Sequence, residues 1–450
     1  MSRSIDQALL EWKDNPRRKP LLVRGARQVG KSSTIRHLGK NFKYFLEVNV
    51  ERNPEVMEFF KGSRDVKSIA AKLSDFFNVP VVPGETLLFL DEIQKCEDVI
   101  HSLWFFKEDY PELHVIAAGS LLEFALKNLS SFGVGRVSSL FVYPMSFDEF
   151  LTATGQEGLL RIKRNSSPTN PLPEAFYNRL VEAFRSYMLV GGMPEAVATY
   201  TETGSYRYSS DIVNEIIQGY QDDFAKYGAK ANPLLLRQTL ISVAHQAGAK
   251  FVCSRVEGQY RSAEVKVALE MLKDAGLIIP TYHTDANGVP LGAEINERVV
   301  KYLIHDTGVL LGILGIDDDI DERIKEMMVA DSIDLVDKGH VAEMMAGLEL
   351  IKYSSPQKRH QLYYWQNMNK GTCAEVDYVI ARSGSIVPIE VKSGVKGSMS
   401  SMYSLMRNPQ KHIEMGIRCS LENFGTFASP DGKKIDIIPL YAISNLFAEK

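Results

Sequence analysis

Five short apolar runs, spaced for strand–helix–strand units, organise the first third of the chain. They are Leu21-Leu22-Val23, "YFLEVNV" (44–50), "ETLLFLDEIQ" (85–94), "LHVIAAGS" (113–120) and "SSLFVYPM" (138–145). Continuous runs of this length read as strands buried on both faces, so an α/β fold is predicted: a parallel sheet with helices on both faces. The pattern then changes. "RNSSPTNPLPEAF" (164–176) is a Pro-, Ser- and Asn-rich loop, and helical periodicity covers roughly 174–190 and 209–226. Residues 254–284 read helix, turn, helix, strand: Val265, Ala268, Leu269 and Leu272 share one apolar face, Gly276 ends the helix, and "LIIPTY" starts a wing-like strand. Near the other end, "EVDYVIA" and "IVPIEVK" are β-like runs joined by "RSGS", a hairpin pattern.

A chain of 450 residues exceeds one ordinary core, and four segments are expected: 1–150, 151–230, 231–330 and 331–450. With 45% apolar and 24% charged residues the composition is that of a globular protein. Net charge is −4; residues 334–450 hold 14 Lys/Arg against 12 Asp/Glu, so this segment is +2 and the rest −6. That asymmetry permits a local DNA or RNA site without requiring one. The helix from Ala263 to Ala275 carries Glu264, Glu270 and Asp274 against Lys266 and Lys273, a poor surface for phosphates, and packing is its expected role. Cys96, Cys253, Cys373 and Cys419 are far apart with no paired spacing, which predicts neither disulfides nor zinc and suits a reducing cytoplasm. The first twenty residues are polar and amphipathic, without a signal-peptide core. The longest apolar run, "VLLGILGI" (309–316), is far short of the roughly 20 residues of a membrane span.

The chemistry begins after the first run. "GARQVGKS" (25–32) matches G-x-x-x-x-G-K-[ST], flanked by a strand pattern and a helix pattern. Such a loop turns its backbone N–H groups toward phosphates at a helix N-terminus. Gly25, Ala26, Arg27, Gln28, Val29, Gly30, Lys31, Ser32 and Ser33 are therefore the candidate ATP-binding residues. Lys31 would reach the β- and γ-phosphates, and Ser32 would hold Mg²⁺. "LLFLDE" delivers two acids at a strand tip: Asp91 as a metal ligand through water, Glu92 as the base that activates the attacking water. Ser120 sits where a strand ends in a Gly-Ser turn, placed either to sense the γ-phosphate or to cap the next helix. Arg136, in a glycine-flanked loop, is either an arginine finger, in cis or from a neighbouring subunit, or a solvated cation.

With "GARQVGKS", "LFLDEIQ", "AAGSLLEF" and "GRV…YPMSFDEF" in this order, residues from about 18 to 150 resemble the AAA-type P-loop ATPases widespread in bacteria and archaea. "YMLVGGMPEAV" (187–197) and "KYLIHDTGVL" (301–310) are similar to further boxes of that family. The resemblance implies helical and winged-helix segments after the P-loop domain, then an α/β restriction-endonuclease-like C-terminal domain.

The hairpin bears on that last expectation. If Ser383 and Gly384 form a two-residue turn, Asp377 faces Glu390 and Glu375 faces Lys392, all on one side. Two opposed carboxylates at ~4 Å repel by about 4 kcal/mol at an effective dielectric near 20. Either Lys392 relieves this as a salt-bridge partner, or a hard divalent metal, Mg²⁺ or Mn²⁺, does. The string D-x₁₂-E-x-K resembles the core of the PD-(D/E)xK nucleases, which adds an acid on a preceding helix; Glu343 in "KGHVAEMMAGLEL" (338–350) supplies it. The resemblance makes Glu343, Asp377 and Glu390 metal ligands and Lys392 catalytic.

Three functions follow. The chain hydrolyses ATP with Mg²⁺; it couples ATP to cleavage of nucleic acid; or it is a nucleotide-dependent interaction switch, with a protein partner or a second copy, whose nuclease-like domain is inactive.

Overall fold

The computed structural model describes residues 3–128, 135–227, 232–315, 338–367, 374–394 and 397–447. Cys373, residues 131–134 before Arg136, and the expected boundary at 330/331 lie outside them. The chain separates into two compact units. The first is Met1–Tyr143 with Asp274–Gly276 and Ser355–Arg359; the second is Pro144–Lys273, Leu277–Ser354 and His360–Lys450.

In the first unit the five apolar runs become β1 (Leu21–Arg24), β2 (Tyr44–Asn49), β3 (Thr86–Asp91), β4 (His114–Ala118) and β5 (Ser138–Phe141). Every pairing is parallel and the order is β2-β3-β4-β1-β5. Every residue of β3 and β4 is buried, so both faces of the sheet are covered, which explains runs without alternation. Leu22, Leu88, Leu90 and Val115 pack with Ile69, Leu73, Leu103 and Phe106 in one core. β1 and β3 run parallel with β4 between them, so their C-terminal ends open on the same edge of the sheet.

The second unit opens with helices. "SFDE" forms a capping box at the start of Phe147–Ala153: Ser146 Oγ accepts from the Glu149 N–H, and the Ser146 N–H donates to Glu149 Oε2 at 2.8 Å. Helices Glu174–Val190, Pro194–Thr203, Tyr206–Phe224 and Pro233–His245 follow. Helix Ser262–Asp274 buries Val265, Ala268, Leu269 and Leu272, the face its periodicity predicts. After it, β6 (Ile278–Thr284) pairs antiparallel with β7 (Ile295–Ile304), and β8 (Leu362–Gln366) and β9 (Glu375–Val376) complete a sheet of order β7-β6-β8-β9. Tyr364 and Trp365 are buried in β8. A second sheet has the order β10-β11-β12-β14-β13, from β10 (Tyr378–Arg382), β11 (Ser385–Val391), β12 (Met415–Ser420), β13 (Gly425–Ala428) and β14 (Lys434–Pro439). β11, β12 and β14 run parallel, with an antiparallel partner at each edge.

The hairpin β10–β11 forms in the expected register, from Tyr378 opposite Ile389 to Arg382 opposite Ser385. Ser383 and Gly384 both have positive φ, the two-residue turn that suits strand twist. One pairing is corrected. Glu375 does not face Lys392; it pairs with Gln366 on β8. The chain changes sheets at Asp377, whose carboxylate takes the Val391 N–H at 2.7 Å where a strand partner would otherwise continue.

The two boxes without evident chemistry lock together. Gly192 N–H donates to Asp306 Oδ2 at 2.6 Å, while Asp306 Oδ1 accepts from the Val309 N–H and caps helix Thr307–Ile313. A Cβ on Gly191 would lie 2.2 Å from Asp306 Oδ1, and one on Gly192 would lie 2.3 Å from the Met145 carbonyl oxygen. Tyr187 Oη donates to that same carbonyl at 2.7 Å. "PM" (144–145), "YMLVGGMP" and "HDTG" are thus one packed knot, and side-chain-free backbone at 191 and 192 is what lets it close.

Candidate functional site

β1 ends in the loop 25–30, and helix Lys31–Gly39 starts immediately behind it. Gly25 is required by close approach: a Cβ there would lie 2.2 Å from the Val142 carbonyl oxygen. Ala26 and Val29 are buried and anchor the loop, whereas Arg27, Gln28 and Ser33 are exposed. Lys31 is buried, its ammonium on the Gly25 and Ala26 carbonyls at 3.0 and 2.7 Å. Burial lowers its pKa to about 8, against the pull of Glu92 and Asp91.

The tip of β3 meets the start of this helix. Ser32 Oγ donates to Asp91 Oδ2 at 3.1 Å, so the hydroxyl and carboxylate converge. Burial raises the Asp91 pKa, with neighbouring Glu92 adding to it. Glu92 follows in a left-handed conformation (φ 55°), which turns its side chain away from the strand direction. Its Oε2 accepts from Ser120 Oγ at 3.3 Å and from Gln94 Nε2. Ser120 therefore reaches the Glu92 carboxylate. Gln94 was missed, although it stands two residues after Glu92 in "DEIQ". Arg136 is held elsewhere: Nε on Glu108 at 2.7 Å and the guanidinium 4.0 Å from the Trp104 ring centroid, both on helix Glu97–Asp109.

In the second unit Asp377, Glu390, Lys392 and Glu343 are described and largely buried, but ion pairs consume their donors. Lys392 Nζ donates to Glu390 Oε1 at 2.7 Å. Glu343, on helix Lys338–Lys352, is paired through Oε1 with Lys301 Nζ at 2.8 Å, and Lys301 also reaches Glu375 Oε1. Burial raises the pKa of Glu343 and of Glu390, against the pull of Lys301 on the first and of Lys392 on the second, and Asp377 adds to the rise of both. Burial disfavours the Lys301 ammonium, but Glu343 and Glu375 outweigh it and hold its pKa above the usual lysine value. Among the described residues no group of three His, Cys, Asp or Glu is positioned to hold a metal ion. Lys301 was also missed. Its signal was parity: on β7 it occupies the inward side with Val299 and Leu303, where a lysine needs a buried anion.

Among family models, residues 17–151 match an AAA domain, residues 181–320 match the domain of unknown function DUF8612, and residues 338–443 match the domain of unknown function DUF4143. Among solved structures, a Walker-type ATPase of Pyrococcus abyssi is 18% identical with a TM-score of 0.44, the match covering 70% of this chain and 95% of that one. The ORC1 protein of Aeropyrum pernix, in complex with DNA, is 13% identical with a TM-score of 0.31, covering 71% and 94%. No curated protein matches the chain. The parallel sheet, the loop and the AAA-domain match fit a P-loop NTPase of the AAA type. No described helix is long and apolar enough to cross a membrane.

Proposed function

We propose that this chain binds ATP and hydrolyses it at the C-terminal ends of β1 and β3. The observation that carries the reading is the Ser32–Asp91 contact, a hydroxyl and a carboxylate converging beside a buried lysine. Such a pair suits Mg²⁺, which takes few protein oxygens and shares the phosphates. Ser32 and Asp91 would hold the ion, whose chemistry is to neutralise charge on the β- and γ-oxygens. The backbone of residues 25–33 cradles the phosphates, and Lys31 moves from its own loop carbonyls to a phosphate oxygen. Glu92, oriented by Gln94 and Ser120, accepts the proton of the attacking water. Glu92→Gln is expected to keep ATP affinity and slow phosphate release about 100-fold. A variant that turns over at the wild-type rate would remove Glu92 from the mechanism.

The ammonium of Lys31 also sets a pH dependence. Phosphate favours the charged lysine, so binding takes up a proton once the free site has lost one. ATP affinity is expected to be flat below about pH 8 and to fall up to about tenfold per unit above it. Titrating a fluorescent nucleotide from neutral pH to about 9.5 checks this; an unchanged Kd across that range contradicts it.

For residues 338–447 a restriction-endonuclease-like core is the reading best supported by the mixed sheet and by Asp377, Glu390 and Lys392 on one hairpin. Ion-paired carboxylates favour an interaction role over cleavage, with the nucleotide unit as the switch.

A further inference from the structure

A nuclease-like core would bring a divalent metal to Glu343, Asp377 and Glu390, and the residues present do not fit one. Three observations conflict with it. Lys301 Nζ is buried between Glu343 Oε1 and Glu375 Oε1, with the Tyr364 ring centroid 4.9 Å away. Asp377 Oδ2 is held by the Val391 N–H, and Glu390 Oε1 by the Lys392 ammonium. Glu390 Oε2 is buried without a hydrogen-bond partner, and among the described residues no three acids are grouped to hold a metal ion.

We propose that Lys301 is the built-in cation of this cluster, standing where a divalent metal would otherwise be needed. By taking Glu343 Oε1 and Glu375 Oε1, the ammonium competes with a divalent cation for the same oxygens. The lysine is fixed by three separate parts of the chain: it projects from β7, Glu343 from helix Lys338–Lys352 and Glu375 from β9. It therefore neutralises buried carboxylates and ties two sheet strands to the helix. A centre so closed binds no metal and does not cut nucleic acid by metal-assisted hydrolysis.

This rests on the nuclease-like reading of residues 338–447, and the test separates the two. Mn²⁺ is titrated, by calorimetry and by its electron paramagnetic resonance signal, into nucleotide-free full-length wild type, Asp377→Asn, Lys301→Met and Lys301→Met/Asp377→Asn. The wild type and Asp377→Asn are expected to take up the same amount of Mn²⁺. Lys301→Met, which leaves the carboxylates without their cation, is expected to bind one further Mn²⁺ that the double variant loses. If Lys301→Met folds only with Mn²⁺ present, that too supports the exchange. A wild-type site abolished by Asp377→Asn overturns the proposal. A folded Lys301→Met that gains no Mn²⁺ overturns the nuclease-like donor arrangement and the substitution of lysine for metal with it. If Lys301→Met is unfolded under all conditions, the wild-type against Asp377→Asn comparison still decides, since equal uptake supports the proposal and unequal uptake overturns it.

Discussion

Lys31→Ala is expected to abolish measurable ATP hydrolysis and to weaken ATP binding by about 10- to 100-fold. The binding loss is that of a charge-assisted hydrogen bond, about 1.5–3 kcal/mol. The rate loss is larger, because charge on the γ-phosphoryl oxygens is spread most in the transition state; removing one preorganised donor typically costs about 10²- to 10³-fold. The fold should survive. A lysine whose folded pKa is lowered favours the unfolded chain, which binds more protons between about pH 8 and 10.4; stability therefore rises with pH across that window. Below it the charged, buried Lys31 works against folding, so its removal carries no penalty from that source. Nucleotide titration and phosphate release on protein with a wild-type-like melting curve check the prediction. Equal ATP binding by variant and wild type would end the P-loop reading.

This site was legible because its parts are local. "GARQVGKS" places eight residues within one loop and one helix turn, and a buried parallel strand announces itself as a run without alternation. The hairpin was legible for the same reason: Ser383-Gly384 sets the register of ten residues around it. The parts that escaped depend on non-local partners. Lys301 reaches Glu343 across 42 positions and Glu375 across 74, so neither spacing nor motif could join them. Gln94 holds Glu92 only because the chain turns through a left-handed residue between strand and helix. The switch of sheets at Asp377 turned on one side-chain-to-backbone bond, and it changed the partner of Glu375 from Lys392 to Gln366. Alternation along a strand shows which face a residue takes, but not which sheet receives it.

Asp306→Ala is expected to be the most destabilising single substitution in the knot of the second unit. Asp306 is fully buried, and its two oxygens serve different donors, the Gly192 N–H at 2.6 Å and the Val309 N–H at 3.2 Å. Alanine leaves both N–H groups buried without a partner, each costing about 1–3 kcal/mol, and removes a helix cap. The sum is about 3–5 kcal/mol. Asparagine keeps one carbonyl oxygen but turns an NH₂ toward the other donor, so Asp306→Asn should lose roughly half as much. Gly191→Ala attacks the same contact from the other side, since its Cβ would overlap Asp306 Oδ1 at a positive φ of 78°. The readout is hydrogen exchange of the Val309 and Gly192 amides, together with urea unfolding followed by circular dichroism. At about 1–3 kcal/mol per molar urea, the midpoint of the second unit should fall by about 1 M or more for Asp306→Ala. An unchanged midpoint with both amides still protected would mean that the knot closes without the carboxylate, and that Gly191-Gly192 serves some other contact.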